Sequence, residues 1–255
     1  MSKRQFHVVI PARYASTRLP GKPLRMIAGK PMLQHVWERG RESNAESVVI
    51  ATDDRRIADA TSGFGADVCM TSIAHQSGSD RIAEICKVRK WPGDRIIVNL
   101  QGDEPTMPAE LINQCAGLLE DDDADIGTLA SPLLAIADLH NPNIVKVLLD
   151  ANGYAMIFSR AAIPHARNED MQNLAMATAS HHHGIYAYRV NALLRMVAAK
   201  APALEVCEQL EQLRALHLGM RIRVGQPKIR PGAGVDTEDD LRIAERQLQK
   251  GRQDA

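Results

Sequence analysis

Phe6-His7-Val8-Val9-Ile10, running on into Pro11-Ala12-Arg13-Tyr14-Ala15-Ser16-Thr17-Arg18-Leu19-Pro20-Gly21-Lys22-Pro23, is the stretch that decides the fold. A short apolar, β-branched run ends in a loop with three cations, Arg13, Arg18 and Lys22, and helical spacing begins near Pro31. Strand, loop, helix is how a doubly wound sheet opens, and in such sheets ligands sit beyond the carboxyl ends of the strands. Arg offers a planar fork to phosphate oxygens, Lys a compact point charge, and Gly21 lets the backbone approach closely, so the loop suits a triphosphate. The plain alternative is a surface turn with solvated cations. Lys22 is followed by Pro23, so this is not a Walker A loop, and no dinucleotide fingerprint is present.

Outward from that stretch, the first half alternates. Strands are expected at 6–10, 48–51, 66–70 and 95–100, with helices near 31–41, 54–62, 80–90 and 108–120. This alternation predicts a parallel, Rossmann-like sheet. In the second half, 126–132, 145–150, 154–159 and 183–189 read as strands with few helices between them, which predicts an antiparallel extension. A helix is expected over 205–218, a strand at 221–224 and a last helix over 237–250, while 165–179 carries no pattern. The expected organisation is one α/β domain over 1–255. It divides into an alternating half over about 1–125, a strand-rich half over about 126–225 and a C-terminal loop and helix over 226–255.

Lys and Arg number 31, as do Asp and Glu, so no general field attracts a polyanion and nucleic acid is not an expected partner. Cys69, Cys86, Cys115 and Cys207 have no zinc or redox spacing and read as buried free thiols. No apolar run approaches the roughly 18 residues that span a bilayer, so a soluble cytoplasmic protein is expected.

Three further segments carry chemistry. Residues 96–100 lead into Gln101-Gly102-Asp103-Glu104-Pro105, placing Asp103 just past a buried strand, where a carboxylate can hold Mg²⁺ or simply cap a turn. Asp236, in Gly-Val-Asp-Thr, is a second candidate ligand that reads equally as a helix cap. Gln76-Ser77-Gly78-Ser79-Asp80-Arg81 lies between strand and helix, so its amides and side chains can read a base or ribose, although Ser79 is also a natural cap. Consecutive side chains rarely converge on a metal, so Asp121-Asp122-Asp123 reads as a solvated turn. His181-His182-His183 is not expected to bind zinc, because strand neighbours point to opposite faces.

Taken in order, Pro-Ala-Arg-Tyr-Ala-Ser-Thr-Arg-Leu-Pro-Gly-Lys-Pro-Leu, Ala-Thr-Asp-Asp, His-Gln-Ser-Gly, Val-Asn-Leu-Gln-Gly-Asp-Glu-Pro, Asn-Pro-Asn-Ile-Val-Lys-Val, Phe-Ser-Arg-Ala, His-Gly-Ile-Tyr-Ala-Tyr-Arg, Leu-Glu-Gln-Leu-Arg and Gly-Val-Asp-Thr span nearly the whole chain. Together they resemble the 3-deoxy-manno-octulosonate (Kdo) cytidylyltransferase family. The resemblance implies a usually dimeric cytoplasmic enzyme that joins CTP and Kdo, releases pyrophosphate and serves lipopolysaccharide synthesis. It implies catalytic roles for Arg13, Arg18, Lys22 and Asp103, and nucleotide contacts for Pro11, Ala12, Arg13, Lys22, Gln76, Ser77, Gly78 and Arg81. It places Gln101, Arg160, His182, Tyr186, Glu211 and Gln212 on the sugar side, and Asp103 and Asp236 on Mg²⁺. The chain departs from the family pattern where relatives commonly read Arg-His-Ile/Leu-Gly and it has His181-His182-His183-Gly184. That change leaves open another acidic sugar, such as the 8-amino analogue of Kdo. A nucleotide sensor without turnover is the rival from another class.

Overall fold

The computed structural model describes residues 5–15, 19–120, 124–232 and 234–253. Arg18 and Asp121-Asp122-Asp123 lie outside them. The chain runs β1 (Phe6–Ala12), a 3₁₀ turn (Lys22–Leu24), β2 (Met26–Ile27), β3 (Lys30–Pro31), α1 (Met32–Glu42), β4 (Ser47–Thr52), α2 (Arg55–Ser62), β5 (Asp67–Met70), α3 (Gly78–Val88), β6 (Ile96–Asn99) and α4 (Ala109–Gly117). It continues through β7 (Ile126–Pro132), α5 (Ile136–His140), β8 (Lys146–Leu149), β9 (Ala155–Ser159), a second 3₁₀ turn (Glu169–Met171), α6 (Gln172–Thr178) and β10 (Ser180–Arg189). It ends with α7 (Val190–Ala198), α8 (Ala203–Glu208), α9 (Gln212–His217), β11 (Ile222–Gly225) and α10 (Glu238–Gln253).

One sheet in the order β11-β7-β10-β6-β1-β4-β5 carries the fold. Strands β6, β1, β4 and β5 are parallel neighbours, as are β11 and β7; β10 runs antiparallel between β6 and β7. Strands β8 and β9 extend it as an antiparallel pair off β10. The expected α/β architecture, mostly parallel with an antiparallel extension, is the one observed.

Alternation along β1 builds two cores. Val9 packs with Ile82 and Ile85 of α3 and Leu193 of α7 on one face, while Val8 and Ile10 pack with Leu33, Val36, Leu111 and Ile112 of α1 and α4 on the other. Each such side chain, fully removed from water, contributes about 1.5–3 kcal/mol. Burial on both faces is why this strand reads as a continuous apolar run.

Some elements differ from the sequence pattern. The helix expected over 205–218 is two helices, because Gln209 takes a left-handed conformation at φ 54 and ends α8, turning Leu210 into the core. Helices α5, α6 and α7 and the β2–β3 hairpin, turned by Ala28 and Gly29 at positive φ, had no expected counterpart. Strand β10 begins at Ser180, so all three histidines belong to it. Cys86 and Cys115 are buried, but Cys69 is only partly so and Cys207 is exposed on α8, contrary to the expectation for all four.

Candidate active site

The carboxyl ends of β1 and β6, the 3₁₀ turn and the loop between β5 and α3 line a cleft of about 710 Å³. Pro11, Ala12 and the exposed Arg13 enter it from the end of β1, and Gln101, Gly102 and Asp103 from the turn after β6. A Cβ on Gly102 would stand 2.9 Å from the Pro11 carbonyl oxygen, so glycine lets these two strand ends approach. Gln76, Ser77 and Gly78 form the opposite wall at the start of α3. That start is set by a capping box, with Ser77 Oγ accepting from the Asp80 amide at 3.1 Å and Asp80 accepting from the Ser77 amide at 3.1 Å.

At the centre is Lys22. Gly21, left-handed at φ 64, turns the chain into the 3₁₀ turn that presents it. Its Nζ donates to Asp103 Oδ2 at 2.7 Å, the Val235 carbonyl at 2.9 Å and Asp236 Oδ1 at 3.0 Å. Burial pulls the Lys22 pKa down, but Asp103 and then Asp236 outweigh it and hold it above its ordinary value. Asp103 and Asp236 are thus already arranged to share one cation. Two hard carboxylate oxygens fit Mg²⁺, which takes one or two carboxylates and completes its octahedron with water and phosphate. Among the described residues no larger group of His, Cys, Asp and Glu gathers around a possible metal.

Glu104, which sequence reasoning passed over, lies beside this pair. Burial first, then the charge of Asp103, pushes its carboxyl up to about 8. Its signal was its place in the Gly-Asp-Glu-Pro turn.

Arg81 lines the cleft, yet its guanidinium is committed elsewhere: to Asp53 at 2.6 Å, Thr71 Oγ1 at 2.9 Å and the Ser72 carbonyl at 3.3 Å. It braces the wall and does not reach out to phosphate. Of the residues expected on the sugar side, Gln101 lines the cleft and Arg160, His182, Tyr186, Glu211 and Gln212 do not. Glu211 accepts from Ser79 Oγ at 2.6 Å and leaves Oε1 buried without a partner. Gln212 and Tyr186 are buried. His182 lies within hydrogen-bond distance of Thr128 Oγ1, at 3.0 Å, and packs edge-on against Phe158. Arg160 follows β9, with its amide on Glu208 and its guanidinium donating to the Glu208 and Pro142 carbonyls. Lys146, unremarked in the sequence, is fully buried beneath it and donates to the carbonyls of Asn141, Ile144 and Arg160 at 2.7–2.9 Å.

A Rossmann-like sheet, a cationic loop and two carboxylates on one cation define a nucleotidyltransferase. Residues 7–222 match the model of the cytidylyltransferase family. The chain is 51% identical, over 95% of its length and 98% of the relative's, to a 3-deoxy-manno-octulosonate cytidylyltransferase of Thioalkalivibrio sulfidiphilus. It is 49% identical to one from Pseudomonas fluorescens, over 96% and 98%. Among solved structures it is similar to CMP:2-keto-3-deoxy-manno-octonic acid synthetase complexed with CTP, with TM-score 0.87, 37% identity and coverage of 97% and 99%. It shares its fold with 4-diphosphocytidyl-2C-methyl-D-erythritol synthase, at TM-score 0.65 and 15% identity. The chain belongs to the 3-deoxy-manno-octulosonate cytidylyltransferase family.

Proposed function

We propose that this protein transfers CMP from CTP to the anomeric hydroxyl of Kdo, giving CMP-Kdo and pyrophosphate, with Mg²⁺ held by Asp103 and Asp236. The observation that carries the reading is the Lys22 ammonium bonded to both aspartates on the wall of a cleft that Arg13 also lines. Nucleotidyl transfer needs positioning and charge neutralisation more than covalent help, and no Ser or Cys nucleophile is called for. Arg13 and Lys22 draw the triphosphate into the cleft, Lys22 neutralising charge that builds on the departing pyrophosphate. The 76–78 wall receives the base. Gln101 orients the sugar from the turn after β6, and the sugar's carboxylate extends beyond the cleft lining to the Arg160 guanidinium. The Mg²⁺, when bound, polarises the phosphate oxygens and lowers the cost of bringing an anionic acceptor to them.

The natural setting is cytoplasmic supply of an activated sugar for lipopolysaccharide; no helix among the described residues is long and apolar enough to cross a membrane. A homodimer is part of the proposal, supported by Met156 and Ile157, which stand exposed on β9, a strand that among the described residues pairs with β8 alone. Pyrophosphate release, measured with each of the four nucleotides and with Kdo, its 8-amino analogue and a sialic acid, tests the reading. CTP with Kdo should be the preferred pair and chelation should abolish release. Preference for the analogue would correct the sugar, and CTP binding without release from any acid would make the protein a sensor.

A further inference from the structure

Residues 71–77 cross from β5 to α3 along the cleft, and α3 reaches back to hold them. Arg81 bonds Thr71 and Ser72, and one turn on, Glu84 Oε2 accepts from the Ser72 amide at 2.9 Å and lies 2.5 Å from His75 Nε2. Positions three apart share one helix face, so a single face of α3 clamps both the entry and the middle of the loop. His75 lines the same cleft as Gln76, Ser77 and Gly78.

The clamp decides which proton the ring carries. An ionised carboxylate only accepts, so the hydrogen between Glu84 and His75 belongs to Nε2. In the neutral ring Nδ1 is then an acceptor, and nothing among the described residues donates to it. Cytosine carries an exocyclic amine, a donor, where uracil carries a carbonyl oxygen, an acceptor. An acceptor on the ring of a residue that lines this cleft favours the first and opposes the second.

We propose that His75 is a specificity-determining residue that distinguishes cytosine from uracil nucleotides, and that Glu84 is the positioning residue that fixes its tautomer. This rests on the cytidylyl-transfer reading of the same cleft. The test compares kcat/KM for CTP and UTP, the KM for Kdo and the thermal midpoint in the wild type, His75→Leu, Glu84→Ala and Glu84→Gln.

His75→Leu and Glu84→Ala should reduce the CTP-to-UTP ratio by about tenfold or more, as expected when a polar partner to the base is lost, with the Kdo KM unchanged. Glu84→Gln should fall between them and the wild type, because its amide can both accept and donate. An unchanged ratio in His75→Leu overturns the proposal. So does a proportional loss for both nucleotides together with a raised Kdo KM, which is the mark of a scaffold defect. If Glu84→Ala does not fold, His75→Leu decides alone. If the wild type releases no pyrophosphate, the transfer reading fails, and the CTP-to-UTP ratio of calorimetric affinities in the same variants still upholds or overturns the role of His75.

Discussion

Lys22 meets its acceptors across 81 and 213 or 214 positions of chain. No spacing argument connects such distant residues; each was legible only because it stood in its own recognisable turn, after β1, after β6 and before α10. Packing then zips those turns together, with the Val235 amide donating to the Asp103 carbonyl at 2.9 Å. The clamp on the loop between β5 and α3 was less legible. Arg81 was expected on the nucleotide, and only the fold shows that Asp53 and Thr71 claim its guanidinium. At this scale the Asp103→Asn variant is informative, because it keeps shape and removes a charge. With Asp236 the one proposed Mg²⁺ ligand left, kcat/KM should fall about a hundredfold or more while the thermal midpoint stays near that of the wild type. Near-normal turnover would remove Asp103 from the metal site.

Strand β10 shows what a strand in the middle of a sheet does to its polar side chains. His182 is pushed down to about 3 by burial and then by its histidine neighbours. His183 is pushed down to about 4 by burial and then by His181, whose own pKa is lowered by burial against the pull of Asp138. Unfolded, both titrate near 6.5. Between the folded and unfolded values the unfolded chain binds more protons than the native one, so stability rises with pH through this window and is lost on acidification, by about 1.4 kcal/mol per pH unit for each histidine. His183→Gln, which keeps a hydrogen-bonding group toward Ser131, should lose less thermal stability between pH 7 and pH 5 than the wild type; an equal loss would mean that His183 takes up its proton as readily in the native state as in the unfolded chain. The elements themselves were legible where periodicity was strong and ligand turns punctuated it. They were not where a residue with no turn signal, such as Gln209, takes a left-handed conformation, nor where helices as short as α5 and α6 offer little more than a turn of pattern.

For the whole molecule, the sheet ends at β5 on one side and at β11 on the other, with β9 projecting from the β8 side branch. A second copy covering β9 would explain the exposed Met156 and Ile157, since uncovered apolar edges invite promiscuous pairing. Sedimentation should give twice the 28.0 kDa chain mass, and Met156→Glu with Ile157→Lys should give the single mass. A wild type that sediments as one chain would remove the dimer from the proposal. The seat of β10 between β6 and β7 has a consequence of another kind, for the order in which a ribosome delivers the chain. Strand β6 and strand β7 are made well before the strand that belongs between them, so each spends that interval with an open edge, and the sheet cannot close until Arg189 has emerged. A nascent chain stalled at Pro132 should be digested readily by protease and one stalled well beyond Arg189 should resist it, and the interval between the two measures how long those edges wait for β10.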